Sequence, residues 1–526
     1  MLAGAHELLR ATGADCRDLA PPRAAVTSLE SRPVTSSPTA IDVAHSLLQE
    51  GRLVEAEQLM VRELQTVAAK HGAGSPAWAS AQCDLGNVLL NADQLDRAIE
   101  CYRHATAAST DEDPQVRRDH LTYRLNLGMA LRMAGRLDEA EAELHRGAQD
   151  RLAFYGREHA GYAFGLEPLA DVLLQRGNVG QARQIIEETV GNFWRNGHER
   201  VATALALRAV IVQARDSGEV LFPGLDQLPD EVVEQVALSV MSRRGHGDPT
   251  TYRAVLTDLV AALEARLGAD HQATLNVLSV LANLAADLGD QASRIDAIQR
   301  VLASYDRQGR VEEALMAALG LALAQSSAGD DEGALRTYAW AHSTAQRTGR
   351  PELASQVLRN WGLALKEAGQ VGPAEQRLGE AVAQARRGAD YDTLGRAQIA
   401  LGLFLQHEGR LTDARAVLEE GLSVLDPVHP DAMVGRSHLG AVMDGRTCGC
   451  GDMQGTIEEA FRQFVTSKLP VDLLAGLDVT IEDGDFQIKV ELRREPTEDE
   501  IERLNGILQS AHAEFRRRIA EPRYAG

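Results

Sequence analysis

Small and large apolar residues recur in a fixed order along most of the chain. The clearest copy is the stretch 127–148, LGMALRMAGRLDEAEAELHRGA, which has Gly135 at its centre. Its small residues, such as Gly128 and Ala140, alternate with large ones such as Leu144. The pattern predicts two short helices joined by a tight turn and packed closely where the small residues lie. Because such a pair has too wide an apolar face to leave in water, it requires neighbours of the same kind.

The turn residue recurs at constant intervals in two blocks, of 42 residues in the first and 40 in the second. Most turns follow a large and a small residue, eight and seven positions earlier, and precede an alanine and a large residue, five and nine positions later. The turn residues are Gly51, Asp93, Gly135 and Gly177, then Gly289, Gly329, Gly369 and Gly409. Eight copies in one register are strong support for a repeat array.

This register resembles the tetratricopeptide repeat. Its long spacing and its linkers, Phe154–Ala160 and Arg266–Leu275, are similar to those of the kinesin-light-chain-like bacterial multi-repeat proteins. The match covers roughly residues 41–215 and 249–425. The resemblance implies an all-α fold, a right-handed α-solenoid of helix hairpins. It also implies a non-enzymatic scaffold that binds a peptide segment or a partner protein in its concave groove.

The departures from the register define the expected domain boundaries. Residues 1–40 are rich in proline and predict a disordered leader before the first repeat block, 41–218. Residues 219–248 form an insertion with a short helix near 231–242, before the second block, 249–425. Such an insertion either modifies binding or is a tolerated surface elaboration.

The last part of the chain changes its period. Residues 426–470 form a degenerate last repeat, and residues 471–526 predict a β-hairpin turning at 483–485 and then a helix. This β-β-α segment is expected to cap the apolar end of the array. The alternative is a small partner-binding module, because two strands leave an open edge.

The composition of the chain disfavours some kinds of binding partner. The net charge of −22 disfavours nucleic acid, and no run of 18 apolar residues offers a membrane span. Five scattered cysteines do not make a disulfide framework, which favours a reducing, cytoplasmic location. The expected partner is therefore a protein or peptide, with self-association as a further option.

The lack of familiar catalytic motifs favours a protein without catalytic activity or cofactor. The chain lacks the phosphate loop, the H-E-x-x-H zinc helix and the G-x-S-x-G elbow. Cys448 and Cys450, with glycines around them, are the suggestive exception, since two thiolates could ligate a soft metal or form a strained redox pair. They support an alternative function as a metal-binding or redox-sensitive regulator. The plainer alternative is a glycine-rich turn that happens to hold two thiols.

The resemblance also implies which residues face a ligand, namely those thirteen, ten, six and three positions before each turn. Cations there favour an acidic peptide or a free carboxylate, and asparagines could hold an extended backbone. The alternative is a merely solvated inner face. The predicted groove residues are Asn87, Arg132, Glu167, Asp171, Arg208, Arg215, Asn276, Asn283, Gln356, Arg359, Lys366 and Arg396.

Overall fold

The computed structural model describes residues 39–108, 113–214, 218–244, 248–427, 429–447, 474–482 and 485–493, with short pieces between 461 and 511. These residues form antiparallel helix pairs followed by one β-hairpin, as the sequence predicts. They fall into two compact units, one ending at Leu284 and the other beginning at Ala285.

The first unit contains four helix pairs, then the insertion with the helices that flank it, and most of one further helix, whose last residues belong to the second unit. Its helices are α1 (Ala40–Gln49), α2 (Leu53–His71), α3 (Pro76–Asn91), α4 (Leu95–Ala107), α5 (Pro114–Met133), α6 (Leu137–Tyr155), α7 (Ala160–Gln175), α8 (Val179–Arg195), α9 (Val201–Gln213), α10 (Asp230–Met241), α11 (Pro249–Arg266) and α12 (Gln272–Asp287).

The second unit continues the same alternation and ends in the hairpin. Its elements are α13 (Gln291–Arg307), α14 (Val311–Ser327), α15 (Asp331–Arg347), α16 (Pro351–Glu367), α17 (Val371–Ala385), α18 (Tyr391–His407), α19 (Leu411–Val424), α20 (Pro430–Met443), β1 (Leu474–Glu482) and β2 (Asp485–Leu492).

The turns lie where the register predicts them. All eight predicted turn residues have positive φ, between 62° and 80°. Seven of them are glycine, which tolerates this left-handed region without a steric cost. Asp93 is the one residue other than glycine with positive φ in the described part of the chain. The prediction of the turns is confirmed.

The small residues lie where paired helices cross. A Cβ atom on Gly402 of α18 would lie 2.6 Å from the Leu418 Cγ on α19. On Gly128 of α5 it would lie 2.5 Å from the Leu144 side chain of α6. Each glycine lies sixteen residues before its large partner, so the crossing repeats with the register. The spacing thus specifies where the two helices approach most closely.

The insertion is tied to α9 by a buried arginine. Arg208 donates to the Val220 and Leu221 carbonyl oxygens at 3.0 Å, and through Nε to Glu187 at 2.9 Å. The predicted short helix is present as α10, displaced by one residue from the expected bounds. Its last carbonyls accept hydrogen bonds from the Tyr252 hydroxyl of α11.

The predicted β-hairpin is present, and it packs against the last repeat. β1 and β2 are antiparallel, with Val479 opposite Ile488. Val479 is buried in one apolar cluster with Phe461, Leu504 and Met433 of α20. This cluster gives the apolar end of the second unit its cover. No helix in the described residues is long and apolar enough to cross a membrane.

Candidate interaction surface

Two buried arginines of the second unit contact one carboxylate. Arg396 of α18 donates through Nε to Asp431 Oδ2 at 2.7 Å, and Arg359 Nη1 of α16 lies 3.8 Å from the same oxygen. The arginine side chains are 6% and 8% exposed, whereas that of Asp431 is 30% exposed. The first helices of three successive repeats therefore contribute one charged group each.

The local structure of α20 presents Asp431 to the two arginines. His429 is the N-cap of α20, and its Nδ1 accepts a hydrogen bond from the Asp431 backbone N–H at 3.1 Å. Asp431 therefore lies in the first helical turn, where a negative charge is also stabilised by the helix dipole. Burial acts to raise the pKa of Asp431, but the charges of Arg396 and Arg359 outweigh it and lower the pKa to about 2.

A cavity of about 510 Å³ lies between the N-terminal halves of α16 and α18. We call it the Arg359–Arg396 pocket. Among its lining groups, the Ser355 hydroxyl is buried and has no hydrogen-bond partner in the described part of the chain. The pocket is lined by Arg350, Glu352, Leu353, Ser355, Gln356, Arg359, Ala389, Asp390, Thr393 and Arg396.

Two other charged residues that line the pocket have structural partners. The Asp390 carboxylate caps α18, where it accepts from the backbone N–H groups of Asp392 and Thr393. Arg350 pairs with Glu312. The pocket therefore combines buried guanidinium groups with uncharged donors, Ser355 among them, and such a set suits a carboxylate or a similar small anion.

Lys366 lies on α16 together with Arg359. Burial and the charge of Lys366 lower the pKa of His438 of α20. The His438 ring contacts the Gln406 carboxamide of α18 at 2.7 Å, and Gln406 donates to the Arg446 carbonyl oxygen. These contacts again link the first helices of three successive repeats.

In the first unit, one pair of predicted groove residues is in contact, and Glu167 pairs with an arginine outside the predicted set. Arg132 of α5 donates to Asp171 of α7 at 2.8 Å, and Arg243, beyond α10, lies 3.7 Å from the same carboxylate. Glu167 of α7 accepts from Arg200 at 2.8 Å. The insertion thus reaches the predicted groove positions of the fourth repeat through Arg243.

The remaining predicted residues do not converge on one site. Asn87 accepts from the Tyr102 hydroxyl at 2.8 Å, and Asn276 accepts from Gln272. Asn283 is buried, and Arg208 donates hydrogen bonds to the insertion. These placements give the residues local structural roles in the first unit.

Three predicted site residues lie outside the described residues, namely Arg215, Cys448 and Cys450. The same applies to the expected leader up to residue 38. Within the described ranges, no group of three or more His, Cys, Asp or Glu side chains could hold a metal ion. The metal or redox role of the two cysteines therefore stays a prediction.

The repeat register does not predict several residues of the candidate site. Asp431 and Thr393 lie in the first turns of α20 and α18, before the four positions expected to face a ligand. Ser355 lies one position before Gln356, and Arg243 follows α10 of the insertion. The available signal was the placement of Asp431 at the start of a first helix. An acid there is ordinarily assigned to helix capping alone.

Comparison with known proteins supports the repeat assignment. One tetratricopeptide-repeat profile matches residues 121–146, 163–188 and 395–420, and a second matches residues 79–111. Comparison with curated proteins gives no match.

Several solved structures are similar to this chain. One is a Podosopora anserina protein described as a kinesin light chain with nearly identical TPR-like repeats, at 19% identity and a TM-score of 0.31 over 39% of this chain and 96% of that chain. Another is BtubC (BKLC) from P. vanneervenii, at 18% identity and a TM-score of 0.30 over 43% and 90% of the two chains. The apo form of RapI gives 11% identity and a TM-score of 0.36 over 66% and 87%.

The four profile matches coincide with the pairs α3–α4, α5–α6, α7–α8 and α18–α19. The unmatched pairs share the same positive-φ turn, and in the pair α16–α17 Gly362 meets Leu378 at the same kind of crossing. The chain therefore contains several tetratricopeptide repeats.

Proposed function

We propose that this protein is an interaction scaffold that holds a segment of a partner protein against the first helices of its second unit. The general role follows from the repeats, whose stacked helices provide extended surfaces for protein partners. The choice of surface rests on one observation. The Arg359–Arg396 pocket combines three predicted groove residues, Gln356, Arg359 and Arg396, with a hydroxyl that has no partner in the described residues.

The donors of the pocket favour a partner segment with an acidic residue. A guanidinium presents its N–H groups in a planar fork that matches a carboxylate, and partial burial strengthens this contact. The half-buried Gln356 can donate from its carboxamide, and Ser355 can donate from its hydroxyl. A volume of about 510 Å³ is enough for one side chain or a chain terminus. Neighbouring residues of the segment would then lie along α16 and α18.

The test adds negative charge to the pocket without removing its buried arginines. Gln356→Glu/Thr393→Glu places two carboxylates at half-buried lining positions. We expect partners captured by the wild-type protein from a lysate of its own organism to be retained at least tenfold less, because like charges that face each other cost several kcal/mol. Quantitative mass spectrometry of the captured proteins measures the loss.

The matched control is Gln376→Glu/Thr412→Glu, which makes the same two exchanges at exposed positions of the second helices α17 and α19. Its captured partners should equal those of the wild type. If the pocket variant keeps its helicity and still captures the same partners in the same amounts, the proposed binding surface is wrong.

A further inference from the structure

We infer that Asp431 is a built-in competitor for the Arg359–Arg396 pocket, so that the charge at position 431 sets the affinity of the pocket for a carboxylate. The inference rests on the proposed function, in which a partner carboxylate enters this pocket. It assigns a task to a residue outside the expected ligand-facing positions.

Asp431 is not one of the lining residues of the pocket, but it contacts both of the guanidinium groups that line it. Its Oδ2 atom accepts from Arg396 at 2.7 Å and lies 3.8 Å from an Nη atom of Arg359. A ligand carboxylate that used the same N–H groups would have to displace Asp431 or approach within a few ångströms of it. Either route costs free energy through lost hydrogen bonds or like-charge repulsion.

The arrangement differs from the exposed ion pairs that form between neighbouring residues of this chain. Arg410 and Asp413, for comparison, form an exposed pair within three residues of each other at the start of α19. Arg359, Arg396 and Asp431 come from three different helices, and both guanidinium groups are nearly covered. An exposed local pair contributes little to stability or specificity, whereas a nearly covered group that bridges helices can define a site.

A second, independent observation points to a ligand. The Ser355 hydroxyl lines the same pocket, is 1% exposed and has no hydrogen-bond partner in the described part of the chain. Leaving a buried hydroxyl without a partner is unfavourable, and native structures usually avoid it. An acceptor that entered the pocket would satisfy this hydroxyl together with the guanidinium groups. Ser355 and the arginines therefore suit the same kind of ligand, an anion with two or more acceptor oxygens.

The measurement uses fluorescein-labelled hexaglutamate as the probe and fluorescence anisotropy as the readout, with the full-length protein. We expect Asp431→Asn to bind the probe at least tenfold more tightly than the wild type. Asp431→Ser, a second neutral variant at a helix start, should show a similar gain. Asp413→Asn is the control for net charge, because it also removes one first-turn carboxylate beside an arginine, and it should bind within twofold of the wild type.

A further variant tests whether the tighter binding of the probe takes place in the Arg359–Arg396 pocket. Adding Gln356→Glu/Thr393→Glu to Asp431→Asn should return the affinity to the wild-type level or below it. The inference is overturned if both neutral variants, shown to be folded by circular dichroism, bind no more tightly than the wild type. It is also overturned if the gain survives the two added glutamates. These outcomes leave the partner-capture experiment unaffected, so a failed competitor role can be told from a failed binding surface.

Discussion

At the scale of single residues, Asp431 stays ionised at unusually low pH because of its neighbours. Burial alone would raise the pKa of Asp431, but Arg396 and Arg359 lower it to about 2. An unfolded aspartate titrates near 3.9. Since the folded value lies below the unfolded one, the ion pair stabilises the protein fully above about pH 4. This stabilisation is lost as the pH falls toward 2.

Neutralising Asp431 should therefore lower the free energy of unfolding by an amount that depends on pH. We expect Asp431→Asn to reduce the free energy of unfolding by about 2 kcal/mol at pH 7, since a shift of one pKa unit is worth about 1.4 kcal/mol. The difference from the wild type should shrink as the pH falls from 4 toward 2, because the wild-type carboxylate then takes up its proton. Urea unfolding at pH 7, 5, 4 and 3 measures this difference. If the free energies of unfolding of the wild type and Asp431→Asn differ as much at pH 3 as at pH 7, the low pKa does not belong to Asp431.

The sequence allows some site residues to be predicted and not others, for a physical reason. Helix periodicity fixes the positions of Gln356, Arg359 and Arg396 relative to the turn, so the sequence identifies them as candidates, and all three line the pocket. Asp431 and Arg396 are 35 positions apart in the chain, and their contact depends on how successive repeats stack. Arg208 was predicted to face a ligand, yet the structure commits it to the carbonyls of the insertion. No periodicity within a repeat contains information about an inserted segment.

At the scale of helix pairs, stability depends on close approach at the glycine crossings. Gly402 of α18 lies against Leu418 of α19, and a Cβ atom would meet the Leu418 Cγ at 2.6 Å. Leu418 is fully buried, so it has little room to move. Real Cβ contacts are longer than this, and the two helices would have to separate or Leu418 would have to change its rotamer.

We expect Gly402→Ala to destabilise the second unit by about 1–3 kcal/mol, the usual cost of overpacking. The control is Gly379→Ala on α17, where a Cβ atom would meet nothing within 4 Å. That change should stabilise the helix by about 0.5–1 kcal/mol, because alanine loses less backbone entropy than glycine. Thermal unfolding followed by circular dichroism compares the two. Equal effects of the two exchanges would show that the crossing tolerates a larger residue.

The elements were more predictable than the site because their signals are local. In each copy, the turn glycine and the small and large residues around it lie within about 20 residues of each other. Each copy can therefore be identified from its own sequence. The β-hairpin was predicted from the alternation of apolar and polar residues on its two faces. Its packing against Met433 and Phe461 followed from a general need to cover the last repeat, not from any pattern in those residues.

At the scale of the whole molecule, the net charge of −22 opposes the acidic partner segment that we propose for the pocket. An acidic segment that approaches from solution meets a repulsive field before it reaches the arginines. Repulsion between separated exposed charges is screened by salt, with a Debye length of about 30 Å at 0.01 M and about 10 Å at 0.1 M. Contacts with nearly covered guanidinium groups are screened much less. Long-range approach and short-range contact should therefore respond differently to ionic strength.

Raising the ionic strength from about 0.01 M to 0.1 M should increase the association rate of labelled hexaglutamate with Asp431→Asn by roughly twofold or more, because screening removes long-range repulsion. The dissociation rate should change less, since it reports the contacts inside the pocket. Stopped-flow anisotropy separates the two rates.

Adding Gln376→Glu/Thr412→Glu to Asp431→Asn adds two negative charges at exposed sites of second helices, and should slow association further at low salt but not at high salt. An association rate that falls with salt would mean that the positive field of the pocket, not the net charge of the chain, governs the approach.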